Sequence, residues 1–474
     1  MSRLRNVPGT GFSVTCVCGT LYNTDDSHVG KRLRCQCGRE VAIQRPAAEP
    51  LQILGAAPRV SRRRHAASAP SGGWQNVAEQ IHSRWSEVKL AWPSRVGAAL
   101  RSALSTLRTD ASSRNVVRRW TVRLSLAYGL CAVVAWMLLV NTSESFLPAT
   151  FLAYGPRFVL LLPLVLLVPL ALVSARSVLL PLAIAAWVVV GPIMGGRVSW
   201  RTVGRTMPSS VPPLATRLLT FNVKGGADVS RELRGLVRLV QPDLIGLQEC
   251  GDAVWDSLQA LPNLHFHRYA SLCTASRWPF VSFDSMPRAA FTRVSSLGFG
   301  GTALVARYVI QTTRGRVVLV NLHLETVRKG LEQFMGGNGF FPDRFSDWFT
   351  ESSSNVGQST KGFLLNARIR AQESERASVW STQGDQQKAV VIIGDFNLPS
   401  ESTIFRRNWG RLHDAFAESG TGFGWSKAEG RLLRIRIDHV LSNEVAPRAI
   451  GTWLGPALGS DHRPVIADLA WRGQ

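Results

Sequence analysis

The chain is short of acid, short of cysteine, and has no apolar run near its start; each shortage narrows what it can be. Its 474 residues carry 55 Lys and Arg against 32 Asp and Glu, a formal net charge of +23. The shortage of acid is local. Residues 1–214 hold 25 basic against 8 acidic residues, a net of +17, whereas residues 215–474 hold 30 against 24, a net of +6. The second stretch therefore lacks the long basic stripe that duplex DNA binding favours. The excess ahead of it fits nucleic acid or anionic lipid headgroups, and the apolar runs in residues 121–196 favour lipid. Seven cysteines, four of them crowded into one quartet, do not make a disulfide framework. The first twenty residues hold no apolar core run, so no secretory signal peptide is expected there. A length of 474 exceeds one ordinary domain and points to two or three units.

What is present begins with that quartet. Cys16-Val-Cys18-Gly19 and Cys35-Gln-Cys37-Gly38 are two Cys-x-Cys-Gly turns within residues 1–45. Two such turns facing each other place four thiolates about one Zn²⁺, and each Gly allows the turn that points amides back toward sulfur. Short strands over residues 12–14 and 41–43 are expected beside them. All four ligands would be protein, so the zinc would be structural, in a small zinc ribbon suited to contact with a protein partner. Residues 46–120 read as a basic linker, rich in Pro, Ala and Ser with the run Arg62-Arg63-Arg64. Trp74, Val77, Ile81, Trp85 and Val88 recur there at roughly helical spacing, as in a membrane-surface helix or an ordinary connecting one.

Residues 121–196 contain three uncharged apolar runs, 124–140, 158–173 and 178–194. Each approaches the ~20 residues needed to cross a bilayer. Prolines 163, 169, 181 and 192 are tolerated in membrane helices more readily than in soluble ones. Arg114, Arg118, Arg119 and Arg123 precede the first run, which puts the N-terminus in the cytoplasm. Three spans then carry residues 215–474 to the extracytoplasmic side. Arg197, Arg201 and Arg205 run against that assignment, since they come after the third run.

In residues 215–474 short apolar strands end in polar side chains. The first ends at Asn222 and the second at Gln248-Glu249; a third runs to Asn321-Leu-His323. Then come Gly394-Asp395-Phe-Asn397, Ile437-Asp438-His-Val and Ser460-Asp461-His462-Arg-Pro464. That pattern predicts an α/β protein with its site at strand ends. Carboxylates such as Glu249 and Asp461 suit Mg²⁺ or Mn²⁺, which keep several waters. A histidine such as His462, oriented by a carboxylate, serves as a base, and Asn amides hold a phosphoryl oxygen without adding charge. Together these are the requirements for metal-assisted attack of water on a phosphoester.

This series of motifs, in this order, resembles the endonuclease/exonuclease/phosphatase superfamily over roughly residues 215–472. The resemblance implies a four-layer α/β sandwich, two packed mixed β-sheets flanked by helices. It implies that Glu249 is the principal metal ligand with Asn222 beside it and Asp461 also at the metal. It makes His462 the general base or a phosphate contact oriented by Asp438, and Asp395 the group that orients or deprotonates water. Asn397 would bind the phosphoryl group, and Asn321 lies in the same motif series as a substrate-side amide. His323 matches a histidine that the nuclease and sphingomyelinase branches use to protonate the leaving oxygen. Arg277, in Ser276-Arg-Trp-Pro279, resembles a further substrate-side landmark. Cys250 and Cys273 could pair if the domain is outside, but buried free thiols are the preferred reading.

The motifs fix the reaction, not the substrate. An insertion over residues 326–362 holds Phe334, Phe340, Phe341, Phe345 and Trp348, which suit either a lipid interface or packing on the domain itself. Tethering beside a bilayer raises the effective concentration of lipid headgroups. A lipid phosphoester or lipid pyrophosphate is therefore the expected substrate, with a membrane-tethered nuclease and a non-catalytic binding module as the rivals.

Overall fold

The computed structural model describes residues 11–15, 21–25, 31–34, 40–42, 111–224, 227–288, 303–328, 330–331, 353–384, 387–430 and 432–471. The Cys quartet, linker residues 46–110 and the aromatic residues of the insertion lie outside the described residues, while residues 111–120, expected as linker, open a helix. Residues 1–92 and 93–474 form separate compact units. In the first, β1 (Gly11–Thr15) pairs antiparallel with β2 (Leu21–Asp25), and β3 (Arg32–Arg34) with β4 (Glu40–Ala42). The two Cys-x-Cys segments fall in the sequence between the strands of these two pairs.

The second unit opens with α1 (Ala111–Thr142), α2 (Leu147–Tyr154), α3 (Leu162–Ser174) and α4 (Leu179–Val188). With their flanking turns they supply three helices long and apolar enough to cross a membrane: 114–142, 157–174 and 176–193. Eighteen helical residues rise roughly 27 Å, close to the thickness of a hydrocarbon core. Leu130, Val165, Leu166, Leu180 and Trp187 are all more than 60 % exposed. A soluble hairpin of core helices would cover such side chains, whereas these face away from the protein. The end of α1 docks on the catalytic-type domain: Thr403 N–H donates to Ser143 Oγ at 2.8 Å, and Arg157 pairs with Glu401 at 2.9 Å.

The remaining elements are β5 (Ala215–Asn222), α5 (Ala227–Val240), β6 (Leu244–Gln248), α6 (Asp252–Gln259), β7 (His265–Tyr269) and β8 (Leu272–Ser276). Next come β9 (Phe280–Ser285), β10 (Leu304–Thr312), β11 (Gly315–His323), α7 (Ser353–Thr382), β12 (Ala389–Asp395) and α8 (Thr403–Trp409). Last are β13 (His413–Asp414), α9 (Ala415–Ser419), β14 (Lys427–Glu429), β15 (Leu433–Ile435), β16 (Asp438–Ser442), β17 (Arg448–Leu454) and β18 (Val465–Ala470). They build two six-stranded mixed sheets, ordered β17-β18-β5-β6-β8-β7 and β13-β16-β12-β11-β10-β9.

Period-2 alternation sets the layers. Leu218, Leu244, Leu319, Val391 and Ile393 meet in the core between the sheets. Their neighbours Leu219, Ile245 and Leu247 turn outward to Leu233, Leu236 and Val254 on α5 and α6. On the other sheet Val318, Val320 and Ile392 turn outward to Ala377, Phe405 and Trp409 on α7 and α8. The strands are apolar on both faces because both faces are covered, and the result is the expected four-layer sandwich. Glycine at 246 lets the sheets approach: a Cβ there would lie 2.4 Å from Ile393 Cδ1.

Candidate active site

Each sheet contributes one parallel pair, and both pairs finish at the same end. Asn222 closes β5 opposite Gln248 on β6, and His323 closes β11 opposite Asp395 on β12. Antiparallel β16 starts there, with Asp438 opposite Asp395. The motifs are strand ends because the apolar stretch of each strand runs out where the sandwich opens. Gly394 belongs to its motif for a steric reason. Its φ is +139°, and a Cβ would meet Leu322 O of the neighbouring strand at 2.0 Å.

Asn222 Nδ2 donates to Glu249 Oε1 at 2.9 Å and to Asp395 Oδ2 at 3.0 Å, so one amide spans two carboxylates. His462 Nδ1 lies 2.8 Å from Asp438 Oδ2, with its Nε2 3.7 Å from Asp395 Oδ2. His323 Nε2 stands 3.8 Å from both Glu249 and Asp395, and its Nδ1 is buried without a partner. Asn397 donates its backbone N–H to Asp395 Oδ1 and one amide hydrogen to Leu324 O, both at 2.8 Å. Asp395 and Asp438 are almost wholly buried, whereas the Glu249 side chain is 43 % exposed. Lys224, Glu249 and Asn397 all have φ near +50°. Such backbone costs about 1 kcal/mol or more per non-glycine residue and gathers at working sites.

Electrostatics separates the carboxylates. Burial, reinforced by the charge of Asp438, pushes the Asp395 pKa up. Burial acts the same way on Asp438, but His462 beside it and hydrogen bonds from His462 and Ser426 outweigh it and hold its pKa down. Burial opposes a charge on His462, yet the Asp438 and Asp395 charges outweigh it and raise its pKa. Asp461, half-buried, is brought down to about 2, because Lys427, His462 and Lys224 overcome its burial.

The structure thus brings together eight of the expected residues: Asn222, Glu249, His323, Asp395, Asn397, Asp438, Asp461 and His462. Three expectations change. Arg277 is at the far end of the sheet, because β8 runs antiparallel to β6 with Ser276 opposite Leu244; it pairs there with Asp243 at 3.0 Å. Asn321 is completely buried, its amide divided among Gln248, Leu247, Cys273 and Thr274, so it ties the two sheets together behind the site. Cys250 and Cys273 form a disulfide, because β6–β8 pairing places Leu247 opposite Cys273 and leaves a Cα separation of 5.9 Å. Sequence reasoning also missed two lysines. Lys224 and Lys427 reach Asp461 Oδ2 at 3.2 and 3.1 Å, and Lys427 Nζ is 3.0 Å from His462 Nε2. Lys224, two residues past Asn222, could have been noticed by its place; Lys427 lies in no motif.

A divalent cation fits the donors present. Glu249 Oε1 is a hard oxygen open to solvent, and the Asn222 amide holds it beside Asp395 Oδ2. Asp395, Asp438 and His462 also offer atoms within 4.8 Å of one another. There, however, Asp438 and His462 are already committed to each other. The oxygen set suits Mg²⁺ or Mn²⁺ better than an imidazole-bearing one does.

This sandwich, with carboxylates and imidazoles at its open end, defines a phosphoester hydrolase. The profile of the Endonuclease/Exonuclease/phosphatase family matches residues 219–462, and the chain belongs to that family. No curated protein sequence matches it. Among solved structures it is similar to truncated Caenorhabditis elegans TDP2, at 16 % identity and a TM-score of 0.38, covering 55 % of this chain and 100 % of that one. It is also similar to Neisseria meningitidis 3′-5′ exonuclease (16 %, TM-score 0.37, covering 54 % and 100 %). Sphingomyelinase C from Streptomyces griseocarneus gives 17 % and a TM-score of 0.33, covering 54 % and 99 %.

Proposed function

We propose that the chain is a membrane-held, divalent-metal-dependent hydrolase of a lipid phosphoester or lipid pyrophosphate. The observation that carries the lipid assignment is that the membrane segment packs directly beside the reaction centre, the two meeting in a small crevice. Asn397, Thr326, Lys427 and the Arg328–Glu429 ion pair form its polar side, while Val327, Leu433, Ile435, Ile437 and Tyr154 line its apolar wall. Tyr154 ends the short helix between the first two apolar helices, so one wall of the crevice comes from the membrane segment itself. The crevice is small, ≈ 30 Å³, so it marks where the membrane segment meets the reaction centre and is not itself a seat for hydrocarbon; a lipid would reach the centre from the adjoining membrane surface. Nucleic acid would need a basic groove instead.

Glu249 and Asn222 would hold the cation, which would supply water of lowered pKa and positive charge for the phosphoryl oxygens, leaving Asp395 free to act on that water. Asp395, its pKa raised, takes the water's proton at Oδ2. His462, fixed through Nδ1 by Asp438, presents Nε2 to a phosphoryl oxygen. Asn397 offers its second amide hydrogen, and His323 stands where a leaving oxygen needs a proton. Asp461 has only Oδ1 left for a cation, since Lys224 and Lys427 hold Oδ2. These lysines suit the additional charge of a pyrophosphate.

Placement outside the cytoplasm rests on two observations. The catalytic domain docks at the Ser143 end of α1, opposite the Arg114–Arg123 cluster. The Cys250–Cys273 disulfide belongs in an oxidising compartment. A C-terminal reporter active only in the cytoplasm would refute this topology. The Cys16, Cys18, Cys35 and Cys37 quartet is assigned a structural Zn²⁺ and a protein partner; elemental analysis finding no zinc in the full chain would remove the metal. The reaction is tested with the full chain in detergent with Mg²⁺ or Mn²⁺. Release of phosphate or headgroup from lipid substrates, lost in His462→Ala, supports the reading; cleavage of duplex DNA without lipid turnover makes the protein a nuclease.

A further inference from the structure

Behind the catalytic cluster lies a second concavity with a different chemistry. Lys427 and Ala428 are adjacent on β14; Lys427 faces His462, whereas Ala428 lines a cavity of ≈ 440 Å³. Arg205, Arg434 and Arg463 also line it, with Phe423, Trp425 and Trp453 among its other walls. The described residues give none of these three arginines a carboxylate partner. Arg463 spends its Nε–H on Gly455 O at 2.8 Å, and Arg434 lies 5.9 Å from the centre of the Trp425 ring. Burial and the neighbouring Arg434 charge together hold the Arg463 pKa below its ordinary value. Three guanidiniums in one concavity repel each other, and an anion with oxygens for their N–H groups relieves that repulsion.

The position of the cavity identifies the anion. Arg205 comes after the third apolar helix, which ends at Ile193, and the intervening segment is fastened to the catalytic domain. Arg197 bridges Gly422, and Thr202 Oγ1 donates to Ser419 O at 2.8 Å. On this same segment Val198 is 69 % and Trp200 86 % exposed. Exposed indole beside arginine, a few residues from the end of an apolar helix, is the composition of a lipid headgroup interface. We propose that Arg205, Arg434 and Arg463 form a pocket for the phosphate of an anionic membrane lipid, separate from the reaction centre, that seats the catalytic domain on the bilayer. The proposal rests on reading the apolar helices as spans, not on the substrate being a lipid. It also gives Arg205, one of the arginines that run against the charge rule after the third helix, a role at the headgroups.

The test uses the full chain in detergent with EDTA, so that nothing turns over, and counts bound phosphatidylglycerol by native mass spectrometry. Arg205→Gln with Arg434→Gln should weaken one binding event by about tenfold or more. Arg197→Gln with Arg201→Gln removes equal charge from the same segment outside the pocket and should leave that event nearly unchanged. Arg434→Lys keeps the charge but loses the fork, and should give an intermediate loss. Hydrolysis of a soluble phosphoester, measured with metal restored, should be the same in all variants; this separates the pocket from the reaction. Equal weakening in the two double variants would mean diffuse surface charge and overturn the proposal. Inorganic phosphate binding as tightly as the lipid, and displacing it, would overturn the lipid assignment in favour of a free-anion site.

Discussion

Strand β5 carries a buried polar cluster at each end, and the two are built on opposite rules. At its start Arg217 is completely buried, and all five of its guanidinium hydrogens are used. Asp468 takes two, at 2.6 and 2.8 Å, and Pro208, Val240 and Ser210 carbonyls take the others. At its end Asn222 joins a cluster that leaves His323 Nδ1 and Asp438 Oδ1 buried without partners, and in which three residues have left-handed backbone. A saturated cluster has no reason to exchange partners, so it serves the fold. An under-satisfied one is stable only because the surrounding sandwich holds it, and it gains most from a cation or a phosphoryl group.

The contrast predicts opposite consequences of mutation. His462→Ala should lower turnover by roughly 10²- to 10⁴-fold while costing less stability than Arg217→Met, because one hydrogen bond to Asp438 is lost rather than five. Arg217→Met should do the reverse. It strands Asp468 without its partner and should cost about 3–5 kcal/mol of stability, with turnover per folded molecule preserved. If Arg217→Met instead slowed turnover at full stability, the division between the two ends would be wrong.

A third change lies between these extremes. Cys273→Ser opens a disulfide of sequence separation 23. It should lose about 3 kcal/mol by the loop-closure estimate. Cys250 directly follows Glu249, whose φ is +52°. The same variant should therefore also weaken Mg²⁺ affinity, measured by titration calorimetry. Loss of stability with unchanged metal affinity would show that Glu249 holds its geometry without the crosslink.

Glu373, on α7, provides the pH arm of the comparison. Burial raises its pKa to about 8, although the N–H groups of Ala303 and Glu325 donate to it. A raised carboxylate pKa means that the native state keeps a proton the unfolded chain releases. Stability is therefore full below the unfolded value of 4.5 and falls as pH rises toward 8. Glu373→Gln should remove that fall, a difference of about 2 kcal/mol between pH 5 and 7. Denaturant midpoints with identical pH dependence in both proteins would show that Glu373 is ionised in the fold.

Much of this was legible in the sequence because the sandwich is regular. Apolar strands such as residues 218–221 and 390–393 announce themselves, and their polar tips mark the open end. Strand order was not legible, and it decides which tips meet. Arg277 follows a strand just as Glu249 does, but antiparallel pairing sends the two to opposite ends of the sheet. Asn321 shares a face of β11 with His323, two residues on, but lies deeper, covered by Gln248 and Thr274 of the facing sheet, while His323 ends the strand at the open edge. Lys427 reaches His462 only because β14 is folded over it, a long-range fact with no local signature.

The smallest predicted effect is the sharpest check on strand register as the arbiter of the site. Arg277→Ala removes a half-exposed ion pair with Asp243. Such pairs contribute about 1 kcal/mol or less once solvent screening is counted. Asp243 keeps the backbone N–H of Arg217, at 2.9 Å, so its carboxylate is not abandoned. The variant should therefore lose at most a few tenths to about 1 kcal/mol and show unchanged kcat and KM. A raised KM at full stability would mean that substrate extends along the whole sheet from the reaction centre to the Arg277 end. Sequence resemblance would then have placed Arg277 better than the strand register does.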